Sequence, residues 1–385
     1  MGCNNSTQEI YFDNNATTKP LPEVREEMLK VLGDCFGNPS SANAAGERAR
    51  KFLNRSRTSV SEILGCNSNQ IIFTSSGTES NNMAFYSCTL NKEDKCKIIT
   101  TNVEHSSIKK MCSHLKLNGV DITTLEVNNK GLIDLNYLEE LLKDGVDLVS
   151  IQWVNNETGV IQDIARISEL CSEKGVLLHT DAAQAVGKIR INLSNLPIDF
   201  LSFTGHKLNG PQGCGVLYAK DKFFINPILF GGFQEDGFRP GTENLPGIVG
   251  LGKACEIRHK NLDKIIDNLK NLRDKFESML LDFIPDTRIN GEKHNRVCNT
   301  TNIRFNNFDG RELISLIDNE GVRCSQSSAC TNFEVSPSYV LLAMNLTEKE
   351  AYSSIRFSFG VDNNFDEIKR AVEIIRDNCN KLTPA

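Results

Sequence analysis

The 385 residues carry a formal net charge of -6, with 39% hydrophobic and 24% charged positions. That is the make-up of an ordinary soluble globular chain, long enough for one large domain and a smaller one. It excludes the basic excess that a phosphate-tracking surface shows, so direct nucleic-acid binding is not expected, and no apolar run reaches membrane-spanning length. The start, Met1 to Ser6, has neither a basic n-region nor an apolar h-region, so a cytoplasmic protein is expected; Gly2 with Ser6 makes only a weak N-myristoylation match. Thirteen scattered cysteines without a Cys-x-x-Cys pair point to reduced thiols and away from a metal site.

Strand and helix signals alternate over most of the chain, which predicts an α/β domain with a largely parallel sheet. Ile10-Tyr11-Phe12 leads into the polar turn Asp13 to Thr18, and Leu21-Pro22 opens an amphipathic helix toward Leu32. Gly37-Asn38-Pro39-Ser40-Ser41 reads as a rigid turn before a long helix from about Ala44 to Leu64. Apolar, β-branched runs recur at Ile71–Phe73, Lys97–Thr100, Leu148–Ile151, Val176–Leu178, Ile198–Leu201 and Gly215–Tyr218, and a further strand is expected through Trp153. A helical pattern from roughly Pro246 to Phe283 links the large domain to a C-terminal unit with a strand at Thr301–Phe305, a helix near Arg311–Asn319 and a closing helix at Asp366–Cys379. The expected division is a large domain over 13–255 and a small one formed by 1–12 and 256–385.

Chemistry concentrates at predicted strand ends. Ser202-Phe203-Thr204-Gly205-His206-Lys207 follows an apolar strand, and a lysine there, beside small hydroxyl residues, suits a cofactor aldehyde held as a Schiff base. On its own the hexapeptide reads more readily as a surface lysine at a strand end. Asp181, in Leu177 to Gln184, changes the balance: an acid at one strand end and a lysine at another is the pairing pyridoxal 5'-phosphate needs. Thr74 to Asn81 follows a strand and opens a helix, with Gly77 and Thr78 where backbone amides can meet a phosphate, although a plain N-cap turn has the same composition. His105 also stands where a strand meets a helix, placed to stack on a cofactor ring or to satisfy a structural bond. Asn156 and Gln184 are candidates for the ring hydroxyl, and all these groups lie where open α/β sheets place their ligands.

Arg356 lies in the apolar stretch Ser353 to Ser358, where it serves either an internal salt bridge or a substrate carboxylate, with Asn38 as an assistant. Cys330, in the small polar run Ser325 to Asn332, is the thiol placed to become a reactive thiolate, and Cys324 is the competing choice.

Taken together, Asp13 to Thr18, Gly37 to Ser41, Asn155 to Gly159, His179 to Gln184, Ser202 to Lys207, Gly241 to Asn244 and Ser328 to Thr331 resemble, in order, the motifs of cysteine desulfurases of the NifS/IscS type. The resemblance covers almost the whole chain. It implies the fold-type I architecture of pyridoxal-phosphate transferases, with a mostly parallel seven-stranded sheet in the large domain, a smaller α+β C-terminal domain, and a homodimer with active sites at the subunit interface. It further implies that Lys207 carries the cofactor and Asp181 meets its pyridinium nitrogen. His105 would stack on the ring, Asn156 and Gln184 would reach its hydroxyl, and Gly77, Thr78, Thr204, His206 and Thr242 would hold the phosphate. Arg356 and Asn38 would bind the carboxylate of an L-cysteine substrate. Cys330 would take the sulfur as a persulfide and hand it to an acceptor protein, in iron–sulfur assembly, tRNA thiolation or DNA phosphorothioation. The stretch Cys324 to Cys330 is similar to that of the phosphorothioation desulfurase DndA. Asn43 stands where many such proteins have histidine. An aminotransferase or selenocysteine lyase with no need of Cys330 is the rival reading, and a scaffold with a vestigial pocket is a third.

Overall fold

A computed structural model describes residues 9–90, 96–326 and 336–382. Its centre is a seven-stranded sheet built from β2 (Ile71–Thr74), β3 (Lys97–Thr101), β4 (Asp121–Leu125), β5 (Leu148–Ser150), β6 (Leu177–Asp181), β7 (Phe200–Thr204) and β8 (Gly215–Ala219). The order is β2-β8-β7-β6-β5-β3-β4, and only β8 runs antiparallel to its neighbours. Successive residues of one strand enter different cores. Val149, Leu201 and Val216 join one, whereas Leu148, Phe200 and Leu217 join the other. A strand buried on both faces has to be a continuous apolar run, which is why these segments are visible in the sequence.

Helices α3 (Gly77–Thr89), α4 (Ser106–Leu117), α5 (Leu135–Leu141) and α6 (Ile164–Lys174) connect the parallel strands. Helix α2 (Ala44–Leu64) starts at Asn43, whose side chain accepts a bond from the Gly46 amide, and ends at left-handed Gly65. Asn43 thus has a capping task. Helix α1 (Pro22–Gly33) and α2 both pack on the 39-residue α7 (Leu245–Phe283), which runs without interruption from the sheet to the C-terminal unit.

That unit holds a three-stranded antiparallel sheet of β9 (Thr287–Ile289), β10 (Thr300–Phe305) and β12 (Ser354–Ser358), flanked by α8 (Gly310–Asn319) and the closing helix α9 (Phe365–Lys381). The first strand, β1 (Ile10–Tyr11), pairs in parallel with β11 (Val322–Arg323). The chain therefore begins in the C-terminal unit and crosses to the large one through residues 13–18. That crossing is stitched on both sides, by Asn14 and Asn15 to Ser358 and by the Thr18 amide to the His206 carbonyl at 2.8 Å.

One expected strand is absent. Trp153 lies beyond β5 in an irregular segment, because the Asn155 side chain accepts the amides of Glu157 and Thr158 at 3.0 Å each and folds the chain into a tight turn closed by the Val154–Ile161 bridge. No helix among the described residues is long and apolar enough to cross a membrane.

Candidate active site

The ends of β2, β3, β6 and β7 open on one cavity of about 480 Å³. Lys207, Asp181, His105, Gln184 and Asn156 all line it, together with Gly77, Thr78, Thr204, His206 and Arg356. Ten groups nominated from scattered motifs thus converge on one space. Thr242 lines a neighbouring recess of about 270 Å³ with Ser75 and Arg239, and Asn38 is exposed, its side chain accepting the Ser40 amide at 2.9 Å. Cys330, with Ser328, Ala329 and Thr331, lies outside the described residues.

Lys207 ends a single 3-10 turn, Gly205–Lys207, directly after β7. The turn is tight. A Cβ on Gly205 would come within 3.0 Å of the Pro211 carbonyl oxygen, and one on Gly210 within 2.9 Å of the Gly205 carbonyl oxygen. The Lys207 ammonium donates to the carbonyls of Asn15 (2.6 Å) and Ala16 (2.7 Å), and so reaches across to the crossing segment. Beside it, His206 bonds Thr17 through Nδ1 at 3.2 Å. Burial first, then the adjacent Lys207 charge, push the His206 ring down to about 4, so it stays neutral in ordinary conditions.

Asp181 ends β6 and is 4% exposed. One oxygen accepts the Ala183 amide (2.9 Å) and the other the Asn81 side-chain amide (2.9 Å). Asn81 uses its second N–H on the Ser107 hydroxyl (2.9 Å), which in turn meets Nδ1 of His105 at 2.8 Å. Nδ1 also accepts the Ser107 amide, so the ring proton of a neutral His105 sits on Nε2. A single amide, on the buried face of α3, thereby ties the acid to the imidazole. Neither Asn81 nor Ser107 was nominated from sequence, although Asn81 closes the stretch Thr74 to Asn81. Its signal is a polar residue one turn into a helix, shortly before the fully buried Met83 and Ala84.

The loop into α3 gives the anion end. Ser76 caps the helix by accepting the Glu79 amide, and the amides of Gly77 and Thr78 occupy the first turn, where helices lack internal acceptors. A Cβ on Gly215 would lie 2.4 Å from the Ser76 carbonyl carbon, so only glycine lets β8 come this close under the loop.

The opposite end belongs to the C-terminal unit. Arg356, on β12, is 1% exposed and donates to Asp13 (2.7 Å) and to the Asn156 carbonyl (3.2 Å). Its Nε is buried without an acceptor among the described residues. Asp13 also accepts the Ser325 hydroxyl (2.8 Å), and the Ser325 and Arg356 backbones pair. Both sequence readings of Arg356 therefore have a physical basis: it sits in a salt bridge and lines the cavity. Cys324 is half-buried, and its desolvation pushes the thiol well above the ordinary value and away from thiolate chemistry.

Glu104, Ser338 and Tyr339 brace the wall behind His105. Burial pushes the Glu104 carboxyl up to about 8, while one of its oxygens accepts from Thr101 (2.8 Å) and from the Gln152 amide (2.9 Å). The Tyr339 hydroxyl donates to the Glu104 carbonyl at 2.6 Å, and the Ser338 hydroxyl donates to Glu157.

Comparison with known proteins gives this geometry a context. The model of the aminotransferase class-V family matches residues 10–371. The chain belongs to that family. A cysteine desulfurase of Trichormus azollae is 41% identical over 373 residues, 97% of this chain and 93% of the relative. A solved NifS-like protein superposes with a TM-score of 0.91 at 33% identity, covering 97% of this chain and all of the other. DndA from Streptomyces lividans gives 0.77 at 30%, over 89% of this chain and 97% of that one. The α/β architecture expected from the sequence, with its mostly parallel seven-stranded sheet, is that of these structures.

Proposed function

We propose that the chain is a pyridoxal-phosphate-dependent cysteine desulfurase that converts L-cysteine to L-alanine and passes the sulfur through Cys330 to an acceptor protein. The observation that carries the reading is the convergence of Lys207, Asp181 and the Gly77–Thr78 amides on one cavity whose far end presents Arg356. The residues fit the cofactor by their own chemistry: an amine at a strand end, a bonded carboxylate, first-turn amides and an unmet guanidinium donor. When bound, the group supplies an electron sink for the bond broken in the substrate.

The chain's own residues do the rest. Asp181, held by Asn81 and Ala183, offers a carboxylate oxygen to a ring N–H. Thr204, His206, Gly77 and Thr78 hold the phosphate, and neutral His206 does so without adding charge. Arg356, at the cavity end opposite the Gly77–Thr78 amides, binds the substrate carboxylate and so orients the substrate. Lys207 moves a proton between substrate carbons. The thiolate of Cys330 forms an S–S bond with the substrate sulfur as the Cβ–S bond breaks, and one proton ends on Cβ as the methyl of alanine.

Thr242 lies outside its own cavity, on a stretch next to exposed aromatic residues Phe230 and Phe233 (93% exposed), and α1 exposes Leu29 and Leu32. A second copy of the chain would cover such apolar surface. In that homodimer Thr242 completes the phosphate site of the other subunit and Asn38 lies near the shared boundary. The 13–255 and 256–385 division follows the same reading, with residues 1–12 joining the smaller part and α7 as the hinge between the two. The relatives leave the acceptor's pathway open, since the likeness to DndA is no greater than to the NifS-like protein.

Alanine formation from L-cysteine, with and without a thiol reductant, tests the reading in the native protein and in Cys330→Ala. Alanine from the native protein alone supports it. Equal turnover by the variant gives the lead to a lyase that needs no cysteine, and no alanine from either rejects both.

A further inference from the structure

Lys188 has no task in the scheme above, yet it is 3% exposed and lies under the cavity floor. It follows β6 after one tight turn, four residues beyond Gln184. Its ammonium donates to the Gln184 side-chain oxygen and to Asn15 Oδ1 at 3.2 Å. No carboxylate among the described residues pairs with it. Three like charges, Lys207, Arg356 and Arg258, lie around it. A lysine in this position is costly unless its hydrogen bonds do something.

What they do follows from donor and acceptor counting. An ammonium has three donors and no acceptor, so whatever amide atom faces it must be oxygen. That fixes Gln184 with Oε1 toward Lys188 and Nε2 as a donor, one N–H of which goes to the Asn15 carbonyl at 3.0 Å. It fixes Asn15 in the same way. Asn15 Oδ1 accepts from Lys188 and from Asn299 (3.2 Å), and its Nδ2 donates to the Asn156 carbonyl (3.1 Å) and to Thr300 (2.9 Å). The Asn15 carbonyl accepts Lys207, and the Asn156 carbonyl accepts Arg356. One buried cation thus sets the amides that touch both the cofactor-bearing lysine and the carboxylate-binding arginine.

We propose that Lys188 is a positioning residue: it locks Gln184 as a hydrogen-bond donor toward the ionised ring oxygen of the cofactor and holds Asn15 as the common acceptor for Lys207 and Gln184. The proposal rests on the pyridoxal-phosphate reading of the cavity. Burial pushes Lys188 down to about 7, so the charge is only partly secured by its surroundings and responds to changes in this network.

The test uses full-length protein reconstituted with pyridoxal phosphate, without substrate, and follows the pH midpoint of the bound cofactor's visible absorbance change. The native protein is read first; if it takes up no cofactor, the cavity reading fails and this proposal with it. In Lys188→Met the donor that locks Gln184 is removed, together with the charge the lysine carries below about pH 7, so the midpoint rises by up to about one unit. In the same variant kcat for L-cysteine falls about tenfold to a hundredfold, while KM changes less than kcat, because the ion pair with Asp13 holds Arg356 independently of Asn15. Lys188→Arg, which keeps the charge, stays closer to the native midpoint. A purely structural lysine would lower thermal stability and leave the midpoint in place. A folded Lys188→Met with native midpoint and kcat overturns the proposal. Should Lys188→Met not fold, Gln184→Glu decides: it cannot donate, so the same upward shift is expected, and an unchanged midpoint overturns the proposal.

Discussion

The two ends of the cavity are built in different ways. The cofactor end consists of strand ends and the loops that leave them, held by groups of the large unit: Asp181 by the Ala183 amide and Asn81, and Lys207 by the Asn15 and Ala16 carbonyls. The carboxylate end is assembled over long sequence distance: Arg356 meets Asp13, 343 residues away, and Asn156, 200 residues away. Bonds within the large unit tolerate movement of the C-terminal one. Bonds between units make the substrate end depend on how the C-terminal unit is docked. The molecule can therefore bind its cofactor on the large sheet while the substrate end reports the position of the C-terminal unit.

The comparison can be broken most severely at the cofactor end. Lys207→Ala is expected to lower kcat by about 10²–10⁴-fold, the contribution of a positioned proton-transfer group, with thermal stability of the apoprotein nearly unchanged. Asp181→Asn keeps the shape and removes the charge, for about 10²–10³-fold in kcat. At the other end the signature reverses. Arg356→Gln leaves Asp13 without its partner, so urea unfolding should show a loss of about 3 kcal/mol, and KM for L-cysteine should rise more than kcat falls. If Arg356→Gln changed kcat alone, the division into two ends would be wrong.

A pH effect sharpens the same contrast. His179 is fully buried between the Ser150 (2.8 Å) and Ser202 (3.0 Å) hydroxyls, and burial pushes it from 6.5 down to about 4. The unfolded chain takes up its proton below about pH 6.5 and the folded chain does not. Its contribution is complete above 6.5 and is lost as the pH falls toward 4. Urea midpoints of the apoprotein should drop over that window, and His179→Gln should flatten the curve. The smallest effect is at the bracing wall: Tyr339→Phe removes one hydroxyl donor and should cost about 1 kcal/mol in thermal unfolding.

Much of this was legible from sequence because strands buried on both faces must be apolar throughout, as at Ile71–Phe73 and Phe200–Thr204. β4 was missed for the complementary reason. It is an edge strand with Asp121 and Thr124 exposed, and it shows no apolar run. The apolar flanks of Trp153 suggested a strand where the Asn155 side chain makes a turn instead. Strand direction leaves no mark on composition, so antiparallel β8 looked like its parallel neighbours. Site residues at strand ends stood out as polar groups after apolar runs. Asn81, Asn15 and Lys188 did not, since their burial is created by segments far away, such as the 173 residues separating Lys188 from Asn15. A lysine after Gly187 reads as surface until the fold closes over it.

The most direct test of the whole account is borohydride reduction of the native protein loaded with pyridoxal phosphate, followed by peptide mapping. The account predicts loss of the yellow absorbance and a single modified site at Lys207, with Lys188 unmodified. Modification at Lys188 or at surface lysines without Lys207, or no fixed cofactor at all, would contradict it.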